Sequence, residues 1–346
     1  MSTPTCKARC DLRAAVFHGP GQLLSIEDRQ TPVARAGDIV LRVAYCGICG
    51  SDLHATEAGP TSLETGTVLG HEFSGVVTES ASAAFQAGDR VIGLPLQECD
   101  ECRPSGQGCR DRLGILCPRN RIIGLSAAAP GGYAEYLRMP AHHALKIPDG
   151  LDLKLAALTE PLAVGAHAVR AAGNLLGARV LIIGAGPIGL AVALLAQLAG
   201  ARDVVVSEIA VGRRAKAASI GAKVVDPTAD KPGPAEIIFE CVGVPGLLRQ
   251  CIELAPLHGR IIVVGVCRAE DQIFPRVALR KELSIQFVLG YTAYEFALVL
   301  DLLATGRIDA APLITAVIGL DQTPAMFEVL RQPGDHAKVL IDPRLI

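Results

Sequence analysis

Two short segments in the first part of the chain carry side chains that can bind a metal ion. One is Cys46-Gly47-Ile48-Cys49-Gly50-Ser51-Asp52-Leu53-His54, and the other is Gly70-His71-Glu72. A thiolate, an imidazole and an oxygen donor that leave one coordination position open form the ligand set of a catalytic zinc ion. Such an ion lowers the pKa of a bound alcohol or water toward neutrality. The alternative for a lone His71 is a hydrogen-bonded histidine of the core.

A second group of cysteines lies in a stretch rich in Gly, Arg and Asp and consists of Cys99, Cys102, Cys109 and Cys117. Four thiolates can close a tetrahedron around a structural zinc ion. The alternative is a set of reduced surface cysteines. The chain has 11 cysteines in all, but its first residues lack the apolar stretch of a secretion signal. We therefore expect reduced thiols and metal ligands in a cytoplasmic protein, not a disulfide framework.

A glycine-rich turn in the middle of the chain matches a dinucleotide-binding pattern. Gly184-Ala185-Gly186-Pro187-Ile188-Gly189 follows an apolar run over residues 180–183 and opens a helical pattern that ends near residue 199. In that context Gly184 makes the tight turn, Gly186 lets the backbone approach the pyrophosphate, and Gly189 permits close packing of helix on strand. The helix start at Pro187 and Ile188 then faces the phosphates. The alternative is a glycine turn that only packs.

An acidic residue ends the next predicted strand, about twenty residues further on. Its carboxylate, on Glu208, can accept hydrogen bonds from both ribose hydroxyls and would repel a 2′-phosphate, which favours NAD over NADP. Arg213 could instead hold a 2′-phosphate, or be a solvated helix residue. We expect Val242, Gly265 and Val266, which follow later strands of the same sheet, to border the cofactor.

The elements that must position these residues change in character along the chain. Residues 13–163 have short strand patterns and Gly/Pro turns, which predict a mostly β unit. From residue 179 onward, strands at 180–183, 204–207, 237–239 and 261–264 alternate with helices at 211–220, 247–254 and 293–304. That alternation predicts a doubly wound parallel sheet and an α/β fold class.

Composition limits the function further. A chain of 346 residues is long enough for two cores, and its 50% hydrophobic and 20% charged residues are typical of a compact α/β protein. The net charge of -2 leaves no basic excess, so we expect no nucleic-acid partner. No apolar run reaches the length of about eighteen residues that a membrane span needs, so we expect no membrane partner.

These motifs together make the chain resemble the zinc-containing medium-chain dehydrogenase/reductase family, in its alcohol and polyol dehydrogenase branch. The resemblance covers nearly the whole chain and includes Thr159-Glu160-Pro161-Leu162-Ala163-Val164. It implies a GroES-like, mostly β catalytic domain over residues 1–165 and 306–346, and a Rossmann domain over residues 166–305. It also implies an alcohol or ketone as the small-molecule partner and a homodimer or homotetramer.

The resemblance also assigns roles within the metal site. It makes Cys49, not Cys46, the zinc ligand, together with His71, and makes Glu72 a direct or alternate ligand. Other alcohol dehydrogenases of the family have a third cysteine where this chain has Glu160, whereas the polyol branch has a Glu-Pro there. Glu160 is therefore expected to bind zinc directly or through its water.

One hydroxyl group and one imidazole group resemble the proton pathway of that family. Ser51 is expected to take the proton of the alcohol and pass it, by way of the cofactor ribose, toward His54 at the surface. Asp52 is expected to support a metal ligand, or else to cap a turn. In the second cysteine group, the gap between Cys102 and Cys109 is longer than in relatives that hold a structural zinc.

The expected activity is hydride transfer between an alcohol and NAD, with zinc as the acid catalyst. Polyol enzymes of the family have an Arg-Tyr pair after the last strand of the sheet, where this chain has Leu289-Gly290-Tyr291. That difference makes a multi-hydroxylated sugar alcohol less supported, and it leaves secondary alcohols, diols and less polar ring alcohols about equally well supported. Two alternatives are a zinc-free reductase of enones or quinones, which would lack the zinc ligands, and a non-enzymatic NAD-binding protein, which would not need Ser51 and His54.

Overall fold

The computed structural model describes residues 11–59, 63–97, 121–332 and 334–345. The predicted structural zinc ligands Cys99, Cys102, Cys109 and Cys117 lie outside the described residues, so that site stays a prediction. Among the described helices, none is long and apolar enough to cross a bilayer.

The strands and helices are numbered in chain order. The strands are β1 (Asp11–Phe17), β2 (Ser25–Gln30), β3 (Asp38–Gly47), β4 (Thr67–Val68), β5 (Glu72–Ser80), β6 (Arg90–Gly93), β7 (Leu96–Gln97), β8 (Arg121–Ile122), β9 (Tyr136–Pro140), β10 (Ala144–Lys146), β11 (Arg179–Ile183), β12 (Asp203–Ser207), β13 (Lys223–Val225), β14 (Ile237–Glu240), β15 (Arg260–Val263), β16 (Ser284–Phe287), β17 (Ile314–Gly319) and β18 (Lys338–Asp342). The α-helices are α1 (Gly50–Ala55), α2 (Leu153–Ala156), α3 (Thr159–Ala171), α4 (Pro187–Leu198), α5 (Val211–Ser219), α6 (Leu247–Leu254), α7 (Pro275–Arg280), α8 (Ala293–Ala304) and α9 (Thr323–Leu330). Short 3-10 helices cover Ala141–His143, Ala311–Leu313 and Leu320–Gln322.

The central strand of a seven-stranded sheet, β3, leads directly into the predicted metal site. It pairs antiparallel with β5 on one side, with Gly47 opposite Glu72, and with β18 on the other side, with Leu340 opposite Gly47. The sheet order is β10-β6-β5-β3-β18-β17, and β9 also pairs with β3. The end of β3, the start of β5 and the carboxyl-terminal strand therefore meet at one point.

The second large sheet is entirely parallel, in the order β13-β12-β11-β14-β15-β16. Its inner strands β11 and β14 are apolar and buried, as parallel strands covered on both faces must be. The strand order reverses between β11 and β14, and in open parallel sheets ligands bind in the crevice outside the carboxyl ends of the strands at such a point. The glycine-rich turn after β11 lies there.

The predicted α/β fold, with a mostly β unit and a doubly wound parallel sheet, is confirmed. The predicted strands of residues 180–264 coincide with β11, β12, β14 and β15 within a residue or two, whereas the short strand β13 is not among the predicted ones. One buried cluster includes Val180 and Phe239 of the parallel sheet and extends to Ile92 and Leu340 of the mostly β unit. A second cluster, which includes Phe17 and Leu41, fills the rest of the mostly β unit. The domain limits at residues 165 and 305 stay predictions.

Candidate active site

A cavity of about 710 Å³ lies between the parallel sheet and the end of β3. The predicted metal ligands Cys49, His71, Glu72 and Glu160 line it, and so do residues of the predicted cofactor site. Those cofactor-side residues are Gly186, Pro187, Ile188, Val242, Gly265 and Val266. Two sets of residues that are far apart in the sequence thus line one cleft.

Three of the predicted metal ligands form a tight cluster. Ligand atoms of Cys49, His71 and Glu72 all lie within 4.8 Å of one another. Cys49 precedes the first turn of α1, and His71 and Glu72 lie where β5 begins, so the pairing of β3 with β5 brings them together. Within the described part of the chain, this is the cluster of such side chains that could hold a metal ion. Cys46 is buried within β3.

His71 is oriented by a buried carboxylate. Its Nδ1 lies 3.1 Å from Oδ1 of Asp52, which leaves Nε2 to face the cluster, where it lies 3.3 Å from Oγ of Ser51. Asp52 is itself fixed, because its Oδ2 accepts hydrogen bonds from the Tyr133 hydroxyl at 2.7 Å and from the Cys49 backbone N–H at 3.0 Å. A carboxylate behind the imidazole is the usual support of a zinc-binding histidine.

The charges around His71 favour a cation. Burial lowers the pKa of His71, but the negative charge and hydrogen bond of Asp52, followed by Cys49, outweigh it and raise that pKa well above its usual value. An environment that stabilises a positive charge on the imidazole also stabilises a divalent ion beside it. The donor set of sulfur, nitrogen and oxygen fits zinc.

Glu72 is paired with a buried lysine that the sequence analysis did not single out. The Lys338 ammonium on β18 lies 2.7 and 2.6 Å from the two carboxylate oxygens of Glu72, and it donates a third hydrogen bond to the Ile48 carbonyl at 3.0 Å. The Glu72 carboxylate packs against Gly47, where an added Cβ would overlap Oε2. Its position is thereby fixed from two sides.

Glu160 lies in the first turn of α3, in the wall of the same cavity. It is not one of the side chains whose ligand atoms lie within 4.8 Å of each other. Its Oε1 accepts a hydrogen bond from the Tyr291 hydroxyl at 2.9 Å. Burial, with a smaller contribution from the negative charge of Glu72, raises the pKa of Glu160 to about 7. The charge of His71 acts in the opposite direction and lowers that pKa.

The predicted proton pathway begins at α1. Ser51 lies on the cavity side next to His71, and His54 also lines the cavity with a ring that is 52% exposed. Arg268, from the loop after β15, donates hydrogen bonds to the His54 carbonyl at 3.0 Å and to Glu57 at 2.6 Å. This arginine, which the sequence analysis did not identify, ties the parallel-sheet unit to α1.

The glycine-rich turn has the geometry that its sequence predicts. Gly184 has a φ of +96°, and an added Cβ there would lie 2.6 Å from the Val242 side chain. An added Cβ on Gly189 would overlap the Gly184 carbonyl, so helix α4 packs as closely on β11 as a glycine allows. Gly186, by contrast, has no atom within 4 Å of that position, which leaves its backbone open to a ligand.

Glu208 lies beside this turn at the end of β12. Its carboxylate accepts hydrogen bonds from the backbone N–H groups of Ala185 at 2.7 Å and Ala210 at 2.8 Å. Arg213 donates from Nε to the His336 carbonyl at 3.0 Å. The acidic group therefore joins the second strand to the glycine turn, and the arginine is partly engaged by the backbone.

The turns after β14 and β15 form the remaining cofactor-side wall. Val242 and Val266 are exposed within it, and the Glu240 carboxylate accepts hydrogen bonds from the N–H groups of Val242 and Gly243, both at 2.8 Å. An added Cβ on Gly265 would overlap the Gly243 backbone, so the two turns lie in contact.

The opposite wall is mostly apolar. Its side chains are Leu63, Leu94, Pro95, Leu96, Ile122 and Leu125. His143 is a polar group in the same cavity lining. A substrate in this cavity would thus meet the cluster at one end and a largely apolar surface elsewhere.

Comparison with known proteins identifies the family. Residues 35–149 match the family described as alcohol dehydrogenase GroES-like domain, and residues 187–305 match the zinc-binding dehydrogenase family. The (R,R)-butanediol dehydrogenase of Bacillus subtilis (strain 168) is 32% identical over 356 residues, which cover 96% of this chain and 100% of the relative. The chain belongs to the zinc-binding alcohol dehydrogenase family. The predicted family and the predicted enzyme class are thereby confirmed.

Solved structures agree with this assignment over the whole molecule. The crystal structure of 2R,3R-butanediol dehydrogenase from Bacillus subtilis has a TM-score of 0.86 and 31% identity, and covers 96% of this chain and 100% of its own. A zinc-binding dehydrogenase from Sinorhizobium meliloti 1021, bound to NADP, has a TM-score of 0.84 and 31% identity, with 96% and 99% covered. This chain is accordingly a zinc-binding dehydrogenase of the alcohol and polyol class, and it uses a nicotinamide cofactor.

Proposed function

We propose that this protein is an NAD-linked dehydrogenase of secondary alcohols and diols, with a catalytic zinc ion. One observation carries the proposal. The Cys49, His71 and Glu72 cluster opens into the same cavity as the glycine-rich turn at Gly186, so a metal-bound substrate and a nicotinamide could meet there. Hydride transfer requires that the cofactor's reactive atom and the substrate lie next to each other in one such cleft.

The side chains proposed to hold the zinc are Cys49, His71 and Glu160, and Glu72 is an alternate ligand. Supporting this choice, His71 has the carboxylate of Asp52 behind it, and Glu160 is the remaining carboxylate of the cavity wall that no lysine neutralises directly. When bound, zinc supplies the Lewis acidity that lowers the pKa of a substrate hydroxyl, and the nicotinamide supplies the hydride acceptor.

Ser51 is proposed to receive the substrate proton and His54 to release it to solvent. Ser51 is 3.3 Å from His71 Nε2, which keeps its hydroxyl next to the cluster, and His54 is half exposed at the rim. The exposed imidazole can pass a proton to solvent water. Arg268 holds the backbone of this helix and so keeps both groups in place.

Glu208 is proposed to select NAD. Its position at the end of β12, next to the Ala185 N–H, supports contact with the ribose hydroxyls and repulsion of a 2′-phosphate. A similar solved structure is bound to NADP, so both cofactors belong in any assay. Arg213 is the residue that would favour NADP, and its Nε is already occupied by the His336 carbonyl.

The substrate class rests on the cavity walls and on the relatives. The first relative acts on a butanediol by its name. The apolar wall formed by Leu94, Leu96 and Ile122 supports short carbon chains more than fully hydroxylated sugars. The stretch Leu289-Gly290-Tyr291 lacks the Arg-Tyr pair of the polyol enzymes, and the missing arginine removes a donor for extra hydroxyls.

A panel of secondary alcohols, vicinal diols and sugar alcohols, assayed with NAD and with NADP at 340 nm, tests the proposal. We expect the highest kcat/KM for a secondary alcohol or diol with NAD. A Cys49→Ser, His71→Ala double variant is the matched control and should be inactive. Activity retained in that control would favour a zinc-free reductase, and no activity with any alcohol would favour a binding protein.

We also propose a compartment, an assembly and a second zinc site. Five described cysteines are free thiols, which suits a reducing cytoplasm. The edge strand β16 carries Phe287, which is 69% exposed, and Leu289 follows it, so this edge is proposed as the interface of a homodimer or of a homotetramer. Light scattering of Phe287→Ser against the parent tests the assembly. Elemental analysis near two zinc ions per chain would support the structural site at Cys99, Cys102, Cys109 and Cys117.

A further inference from the structure

The ammonium group of Lys338 is buried next to the metal cluster. Lys338 is 1% exposed, and all three hydrogens of its ammonium group have acceptors, namely the two oxygens of Glu72 and the Ile48 carbonyl. It comes from β18, at the opposite end of the chain from the cluster, and reaches it because β18 pairs with β3. Burying such a charge is costly unless its partners are fully satisfied.

The ion pair with Lys338 affects whether the Glu72 carboxylate can bind the metal ion. Its carboxylate is completely buried and lies in the cluster with Cys49 and His71, close enough for one of its oxygens to bind the same ion. Both oxygens are nevertheless hydrogen-bonded to the Lys338 ammonium. The ammonium takes one lone pair on each oxygen and neutralises the charge of the carboxylate, so an intact pair makes Glu72 a weaker ligand for the zinc ion and restrains its movement toward that ion.

A purely structural role does not account for this lysine. Strand β18 is already joined to β3 at two backbone positions and to β17 along its length. Replacing a buried ion pair by apolar side chains of similar size often leaves stability unchanged or higher. A lysine placed so that it engages both oxygens of one carboxylate in the cluster has a more specific use.

We propose that Lys338 is a positioning residue that holds Glu72 off the zinc ion, so that the ion keeps an open position for the substrate. The inference rests on the proposed function, since it requires zinc at Cys49 and His71. Catalytic zinc sites differ from structural ones in that open position. Without the lysine, the Glu72 carboxylate would be free to pair with the metal ion, and the open position of the site would close.

The test uses the full chain loaded with zinc or with cobalt(II). In Lys338→Met, we expect Glu72 to become a permanent ligand: the visible cobalt bands weaken as the coordination number rises, and zinc release to a chelator slows. We expect turnover to fall by on the order of tenfold or more. Removing the carboxylate as well, in Lys338→Met with Glu72→Gln, should return the cobalt spectrum and the zinc release rate to those of the parent.

Lys338→Arg keeps the charge and should keep the parent's cobalt spectrum. Lys281→Met is a matched control, because the Lys281 ammonium also makes three hydrogen bonds, all of them to backbone carbonyls, but does not line the cavity. We expect it to lose stability without any change in the cobalt spectrum.

Two outcomes would overturn the inference. One is an unchanged cobalt spectrum and zinc release rate in Lys338→Met. The other is faster zinc release from the double variant than from the parent, which would mean that Glu72 already binds the metal and which can be measured even if Lys338→Met does not fold. By contrast, if Cys49→Ser lowers neither zinc content nor activity, the proposed zinc site itself is wrong, and the result says nothing specific about Lys338.

Discussion

The Tyr291 hydroxyl donates a hydrogen bond to the Glu160 carboxylate at 2.9 Å, across 131 positions of sequence. Tyr291 follows the last strand of the parallel sheet, whereas Glu160 opens the helix that leaves the mostly β unit. The bond therefore connects the cofactor-side unit to the wall of the metal site. It also fixes which oxygen of Glu160 is free to face the cavity.

Tyr291→Phe should weaken catalysis without unfolding the protein. Removing one hydrogen bond to a carboxylate costs about 1 kcal/mol, which corresponds to roughly a fivefold loss in kcat/KM if it acts on the active geometry of Glu160. The matched control is Tyr294→Phe, because Tyr294 is an exposed neighbour that packs on Arg170 and does not line the cavity. Equal kinetics for both variants and the parent would remove Tyr291 from the active site.

Glu160→Gln tests the carboxylate itself. The amide keeps the size and a hydrogen-bond partner for Tyr291 but loses the negative charge next to the metal. If Glu160 binds zinc or its water, kcat/KM should fall by about a hundredfold while the melting temperature changes little. If the side chain is only a helix-start carboxylate, the loss should be at most about 1 kcal/mol of stability with full turnover.

Glu208→Ser should shift cofactor use from NAD toward NADP. The change removes the ribose acceptor and the repulsion of a 2′-phosphate, so the ratio of kcat/KM for NAD over NADP should fall by on the order of tenfold. Because the carboxylate also holds the N–H groups of Ala185 and Ala210, we expect a lower stability as well, by about 1–3 kcal/mol.

Arg213→Ala, combined with Glu208→Ser, separates attraction from repulsion. If the gain in NADP use persists in the double variant, it comes from lost repulsion alone. If the gain in NADP use disappears in the double variant, Arg213 binds the 2′-phosphate of NADP. Unchanged NAD kinetics in Glu208→Ser would show that the ribose contact is wrongly assigned.

The fold could be predicted from the sequence because its signals are local. Apolar runs such as residues 180–183 correspond to buried strands, and the glycines of the turn lie where a side chain would collide with the next element. The alternation of strands and helices then leaves few possible topologies. Likewise, Cys49 and His71 flank a strand end and a strand start, which pairing brings together.

Lys338 and Arg268 could not be predicted in the same way. Lys338 is the first residue of β18, before the apolar run Val339-Leu340-Ile341, and a lysine in such a position is usually exposed. Its contact with Glu72, 266 positions away, depends on the pairing of β18 with β3, which the local sequence does not reveal. Arg268 lies in a loop, and its contact with α1 depends on how the two units meet.

The last prediction concerns the stability of helix α8, which packs on α3. Glu295 is 3% exposed, and its carboxylate accepts hydrogen bonds from the Thr292 N–H at 2.7 Å and from the Thr292 hydroxyl at 2.9 Å. The same carboxylate lies 3.1 Å from the His167 Nδ1 on α3. It thus caps one helix and attaches it to the other.

Burial raises the pKa of Glu295, but the hydrogen bonds from Thr292 and His167 outweigh it, so the folded-state pKa is lower than the usual 4.5. The folded protein therefore holds the charged form more strongly than the unfolded chain does. The resulting stabilisation is complete above pH 4.5 and is lost as the pH falls through the lower, folded-state value.

Glu295→Gln should accordingly lower the free energy of unfolding by about 1–2 kcal/mol at pH 7, and by less at acid pH. Urea denaturation of parent and variant at both pH values measures the difference. Glu253→Gln is the matched control, since Glu253 pairs with Arg249 on an exposed helix surface, where such pairs contribute about 0.5 kcal/mol or less. A loss in Glu295→Gln that is the same at both pH values would mean that the side chain stabilises the helix by packing and not through its charge.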